Sequence, residues 1–386
     1  MIPDWFGLVK KWSLMFLFLI TPMVYGGFTL DSNEFPIGMY SVDNEKAMID
    51  VSKMGIKYIH TYANGYYDNS EKMKKNLEYL DNAHKYGLKV AFSLSCDHLV
   101  KSKDGIGNFI KLVNAVKDHP ALGFWYLCDE PDGHGIPVED ILPYYDVLKE
   151  ITPNIPVAMA SAWTENWSKH NSALDFLMID TYPVHDRDFP NCSLQHMTEF
   201  TDNALRLGKP VMPINQCFNW KYLAPEGAEM FRDRPVAKMR YPNTQELRYF
   251  CYSGLAQGVR GMFWWSHTRS IMGGKKWLSD VFCDVNTEFS DFVDLVSPAH
   301  KPYIFERARD DNLLMAFWSR PSGDWMVLVN AWPLERDICR STGGKIENAE
   351  LVPWGGTRKT IARLIDGKVI VSAQPWEVFV WKVEIK

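Results

Sequence analysis

The sequence predicts an α/β fold: a (β/α)8 TIM barrel followed by a small all-β sandwich. Three observations predict it. Short apolar runs and amphipathic segments alternate eight times across roughly residues 35–270. Glycines at 55, 87, 208 and 258 close the amphipathic segments, as helix stop signals do. Beyond Pro298 the helical pattern gives way to short β-branched and aromatic runs separated by turn residues.

The first strand is read at 35–40, and a helix at 44–54 follows, with Ala47, Met48, Val51 and Met54 on one face. Strand two is read at 57–62, a helix at 70–86, strand three at 88–94 and a helix at 108–117. Strand four is the aromatic run 123–128, which enters Asp129, Glu130 and Pro131. Proline has no N–H for the ladder, so the strand ends there. A helix at 138–151, strand five at 156–160 and strand six at 175–180 come next. They are followed by a helix at 194–207, strand seven at 210–216, a helix at 244–257 opened by Thr244 and Glu246, and strand eight at 261–266. Eight evenly spaced strands fit a closed barrel better than an open doubly wound sheet. The runs 313–318, 325–330 and 377–383 are strands of the C-terminal sandwich. The expected division is a signal peptide at 1–26, a barrel domain at 27–297 and a sandwich domain at 298–386.

Lys10 and Lys11 precede an apolar run and a small-residue exit at Gly26 and Gly27. That is the pattern of a secretory signal peptide, and it predicts a secreted or periplasmic protein with no stable membrane insertion after cleavage. A net charge of −5 gives no electrostatic footprint for nucleic acid. The 7 cysteines lack Cys-x-x-Cys or His/Cys spacing, so no metal is predicted, and Cys96, Cys128, Cys217 and Cys251 read as small buried hydrophobes. No Gly-x-Gly-x-x-Gly follows strand one, so no dinucleotide cofactor is predicted either. Fifteen tryptophans suit both a large core and the apolar faces of sugar rings.

The C-terminal ends of barrel strands carry the chemistry of this architecture. Here they present His60 and Tyr62, Asp97, Asp129 and Glu130, Trp163, Asp180 and Tyr182, Gln216, and Trp265 and His267. The ring is aromatic and acidic. It lacks a nucleophilic Ser-His pair and phosphate-cradling glycines, and it suits the binding and hydrolysis of an oligosaccharide or polysaccharide.

On these residues the chain resembles the (β/α)8 glycoside hydrolases of the clan that includes cellulases and β-galactosidases. Asp129-Glu130-Pro131 matches the clan's acid/base motif with Asp in place of Asn, and Trp265 matches its aromatic at the end of strand eight. The resemblance implies that Glu130 is the general acid. It also implies a nucleophilic Glu at the end of strand seven, where this chain has Gln216, and an amide cannot take that role. Asp180 is then the second carboxylate, and the missing strand-seven Glu favours the wide carboxyl spacing of an inverting enzyme. The other strand-end residues named above are substrate contacts. Two alternatives stand beside this reading. The adjacent Asp129-Glu130 resembles the pair of hexosaminidases that use the substrate's acetamido group as nucleophile. A catalytically inert, glycan-binding barrel is the other. Glu130 as the buried partner of an arginine, Arg248 or Arg260, is the plain structural alternative.

Overall fold

The computed structural model describes residues 34–65, 70–102, 104–162, 164–185, 194–223, 239–296, 303–304, 312–343, 346, 349–359 and 362–385. Residues 1–26 and Trp163 lie outside the described residues. Among the described residues no helix is long and apolar enough to cross a membrane.

Eight parallel strands close into a barrel: β1 (Ile37–Met39), β2 (Tyr58–Ile59), β3 (Lys89–Ser93), β4 (Leu122–Cys128), β5 (Val157–Ser161), β6 (Phe176–Asp180), β7 (Val211–Gln216) and β8 (Met262–Trp265). β1 pairs with β8 and completes the ring. Side chains alternate across each strand. Phe124 and Tyr126 of β4, Phe176 and Met178 of β6, Met212 and Ile214 of β7 and Phe263 of β8 fill the interior. Trp125, Leu177 and Trp264 point outward into the helical layer. Gly38 makes room for this filling: a Cβ there would lie 2.3 Å from the Phe263 ring.

The helices form where the amphipathic pattern places them, and their ends follow capping chemistry. Helix Glu45–Ser52 is capped by Asn44, whose side chain accepts from the Ala47 N–H at 3.0 Å. Helix Thr244–Gln257 carries a capping box, but its cap is Asn243 and not Thr244. Asn243 accepts from the Glu246 N–H at 2.9 Å, and Glu246 accepts from the Asn243 N–H at 2.8 Å. That helix ends at Gly258 with φ +89°. It is buried on nearly every face because it lies between the barrel and the C-terminal strands.

Beyond the barrel, β9 (Tyr303–Ile304), β10 (Leu313–Arg320), β11 (Gly323–Asn330), β13 (Ala349–Pro353) and β16 (Val378–Ile385) form an antiparallel sheet in the order β13-β16-β11-β10-β9. A second sheet joins β12 (Arg336–Ser341), β15 (Lys368–Ala373) and β14 (Arg363–Ile365). Alternation along β10 sends Leu313, Met315 and Phe317 into the core between the sheets. Leu314, Ala316 and Trp318 face the barrel helices instead. Phe292 of helix Cys283–Val296 meets Trp318 and Trp325 edge-on, at ring centroids 6.1 and 5.6 Å.

Candidate active site

Strand β6 keeps strict alternation, so Phe176, Met178 and then Asp180 face the barrel axis in successive layers. Strand β4 does not. Its register against β5 shifts between Tyr126 and Cys128: Tyr126 pairs with Ala158, and Cys128 with Met159. The extra residue, Leu127, sends Cys128 outward with Met159 and brings Asp129 to the inner side beside Tyr126. Bulges beside active sites re-aim side chains in this way. Glu130 follows with φ +40°, in the left-handed region that a non-glycine residue enters only when its surroundings hold it there. Its N–H donates to the Ala160 carbonyl at 3.1 Å.

Bulge and turn together place three carboxyl groups in one electrostatic cluster. Glu130 and Asp180 are in side-chain hydrogen-bonding contact, and Asp129 lies close enough to act on both Asp180 and the surrounding phenols. Burial pushes the Asp180 carboxyl well above the usual carboxylate range, and the charges of Glu130 and then Asp129 raise it further. Asp180 Oδ1 has no donor among the described residues. Burial beside neighbouring carboxyls thus favours the protonated form of Asp180.

Asp129 is held from below. The phenol of Tyr126 donates a hydrogen bond to its carboxylate. Around the acids stand aromatic rings. Trp265 lies 5.6 Å from Tyr182 and 5.0 Å from Phe218, and its indole N–H donates to the Tyr62 hydroxyl at 3.3 Å. Tyr62 is 43% exposed and forms the outer rim. Trp220 packs against Tyr182 and donates to its carbonyl at 3.3 Å. Burial holds the phenols of Tyr40, Tyr126 and Tyr182 above their ordinary values, so they stay protonated.

The structure thus brings together Asp129, Glu130, Asp180, Tyr62, Tyr182 and Trp265. The other expected contacts sit in different surroundings. Gln216 is 0% exposed and its amide is already used. Its Oε1 accepts from the Val184 N–H at 2.8 Å, and its Nε2 donates to the carbonyls of Val184 at 2.7 Å and Phe218 at 3.1 Å. It fastens the β6 and β7 loops together, and both hydrogens of its amide are taken by backbone carbonyls. His60 is also 0% exposed and packs against Tyr40, Tyr62 and Tyr126 at centroid distances of 4.4–4.7 Å. Burial lowers its pKa to about 3, so the ring is neutral, and neither of its nitrogens has a hydrogen-bond partner among the described residues. His267 is buried, its Nε2 has no partner among the described residues, and the charges that act on it come from Asp50 and Asp43. Asp97 lies beyond the strand end, in the one-turn helix Cys96–Leu99 that follows Ser95 at φ +51°. Arg248 pairs with Glu288 and not with Glu130. Sequence reasoning missed Tyr40, Tyr126, Phe218 and Trp220. Tyr126 was legible as the inward neighbour of Phe124 two residues on, and Tyr40 as the residue that continues β1.

No family model matches the sequence, and no curated protein matches it. Solved structures resemble it in fold. An α-amylase from Anoxybacillus is 10% identical with a TM-score of 0.57, over 92% of this chain and 99% of that one. A maltogenic α-amylase from Thermotoga neapolitana is 11% identical with a TM-score of 0.58, over 92% and 99%. An endoxylanase from Clostridium papyrosolvens is 12% identical with a TM-score of 0.52, over 91% and 96%. At such identities the likeness is one of architecture, a closed parallel barrel with antiparallel C-terminal sheets.

Proposed function

We propose that this protein is an exported glycoside hydrolase that cleaves O-glycosidic bonds in an oligosaccharide or polysaccharide. The observation that carries the reading is the Glu130–Asp180 contact at the barrel mouth, walled by Trp265, Tyr182 and Tyr62. An aromatic floor suits the apolar face of a sugar ring, and a carboxyl pair with one proton is the equipment that glycoside hydrolysis requires. Glu130, at the strand-four end, donates the proton to the leaving oxygen. Asp180, whose proton passes to Glu130 as Glu130 protonates the leaving group, is thereby ionised and attacks or stabilises the anomeric carbon. Water completes hydrolysis and returns the proton to the pair. The fold shared with α-amylases and an endoxylanase supports the assignment by analogy. The signal-like residues 1–26 supply export, and an N-terminus near Gly27 in secreted material is the expected result.

The test is a screen with aryl glycosides and polysaccharides, followed by two variants. Glu130→Gln loses most activity on substrates with poor leaving groups and retains more on activated aryl glycosides. Asp180→Asn is impaired on both. A folded wild type that cleaves nothing across the screen defeats the reading. One observation favours a second mechanism: the Tyr126 bond fixes Asp129 beside Glu130, as a group that orients an acetamide would be fixed. If that mechanism operates, only N-acetylated substrates turn over and Asp180→Asn is mild.

A further inference from the structure

The wall that Trp265 and Tyr62 form at the mouth spans the seam where the barrel closes. Tyr62 follows β2, Trp265 ends β8, and β1 lies between them. The ladder is short there: β1 has 3 residues and β2 has 2. Backbone hydrogen bonds carry the pairing a little further, from the Val42 N–H to the His60 carbonyl at 3.0 Å and from the His267 N–H to the Tyr40 carbonyl at 2.9 Å. Past these points a side chain takes over. Thr61 donates to Asp43 Oδ1 at 2.6 Å, and Thr268 donates to Asp43 Oδ2 at 3.2 Å. We propose that Asp43 is a positioning residue: one carboxyl oxygen holds the β2 loop, the other holds the β8 loop, and together they keep Tyr62 within reach of Trp265. The inference rests on the glycosidase reading for its effect on turnover, but not for its effect on the wall.

Each arm of this latch ends close to the wall. The Thr61 oxygen also accepts from the Ala63 N–H at 3.1 Å, so the turn that carries Tyr62 is tied on both sides of that residue. The single hydroxyl hydrogen of Thr268 is shared with the Ser41 carbonyl at 3.0 Å, and both of its acceptors belong to the loop after β1. Trp265 is braced on its other side by Tyr182 and Phe218, which lie away from the seam. Tyr62 is the exposed member, and the bond that joins it to the indole N–H is 3.3 Å long. A bond already at the long end of the range is lost on a small movement of either loop. In the glycosidase reading this wall holds the sugar, so a loosened latch weakens binding before it disturbs the Glu130–Asp180 chemistry.

The indole N–H resonance of Trp265 in ¹⁵N-labelled protein, assigned by its loss in Trp265→Phe, reads the wall without turnover. Tyr62→Phe removes the acceptor and marks where the unbonded resonance lies. Asp43→Ala should move the resonance toward that mark. Thr268→Val breaks one arm and should move it the same way by less, and it serves as the test should Asp43→Ala fail to fold. Asp43→Asn keeps an oxygen for Thr61 and offers its amide N–H to the Thr268 oxygen, whose own hydrogen then goes to the Ser41 carbonyl. It should therefore restore the wild-type position. In kinetics, Asp43→Ala should raise KM by about 3–10-fold with kcat little changed, the pattern of lost binding of the order of one hydrogen bond. An unmoved resonance in the folded Asp43→Ala or Thr268→Val protein overturns the inference, and so does an Asn variant that behaves like Ala. A fall in kcat and melting temperature with the resonance in place indicates a merely structural role and also overturns it. The expected resonance shift in a protein that cleaves no glycoside defeats the hydrolase reading alone.

Discussion

Two clusters of buried charge in this molecule are built on opposite principles. At the seam between the barrel and the C-terminal sheet, Glu288 is met by the Arg248 guanidinium, by the Tyr252 hydroxyl at 2.9 Å and by the Gly356 N–H at 2.9 Å. Arg248 also donates to Thr357 at 3.3 Å and lies over the Tyr252 ring. Every charge there has an opposite charge or a donor. At the barrel mouth the carboxyl of Asp180 meets another carboxyl, and its Oδ1 has no donor among the described residues. A satisfied charge network holds elements together, whereas an acid beside an acid holds a proton ready to give away. The difference separates a structural cluster from a chemical one, although both are made of buried carboxylates.

That contrast can be broken most directly by removing one charged group from each cluster's centre. Glu130→Gln should lower turnover by about 10²–10⁴-fold, the usual worth of a general acid, with a melting temperature close to wild type. Arg248→Met should do the reverse. It strands Glu288 and should cost about 3–5 kcal/mol of stability, read by denaturant titration, with activity per folded molecule unchanged. If both variants lose activity and stability alike, the division is wrong.

The neutral core beneath the mouth gives a pH test. His60 has a folded pKa depressed to about 3 against an ordinary value near 6.5. The unfolded chain therefore takes up a proton that the folded chain refuses. The stability is intact above about pH 6.5 and falls as pH drops toward 3, by about 4 kcal/mol for this one group. His60→Asn should flatten that part of the acid-unfolding curve. Gln216→Glu sharpens the comparison from another side. It would face the Val184 and Phe218 carbonyls with a buried acceptor where a donor now sits. The expected cost is on the order of 3 kcal/mol with no gain in activity. The smallest effect has the opposite sign. Asp180 is raised, so between the ordinary aspartate pKa and its folded value the native state binds the extra proton, and its contribution to stability declines as pH rises. Asp180→Asn should stabilise the protein at neutral pH by on the order of 1 kcal/mol while impairing activity.

Much of this was legible in the residues. The run Phe176 to Asp180 alternates inside and outside without interruption, so the inward aim of Asp180 could be counted from Phe176. Trp265 could be counted in the same way from Phe263 on β8. Counting failed at β4, because a bulge shifts phase and leaves no mark in a continuous apolar run. It failed again at Gln216. A polar residue at a strand end reads as a ligand contact until its partners are known, and those partners are backbone groups of Val184 and Phe218. The cap of helix Thr244–Gln257 was misplaced by one residue because Asn243 and Thr244 are both good caps, and only the geometry with Glu246 chooses between them.

The sequence by itself determined the barrel, the antiparallel strands that follow it, and the strand ends at which acids and aromatics appear. Those are properties of periodicity and turn chemistry, which act over a few residues. The tertiary structure alone decided which acids meet, which histidines are dry, and which amide is already spent. Contact between Glu130 and Asp180 depends on β4, β5 and β6 closing in one register, and the raised pKa of Asp180 depends on burial and on the charges of Glu130 and Asp129. Burial is a sum over neighbours distant in the chain, and no local pattern records it.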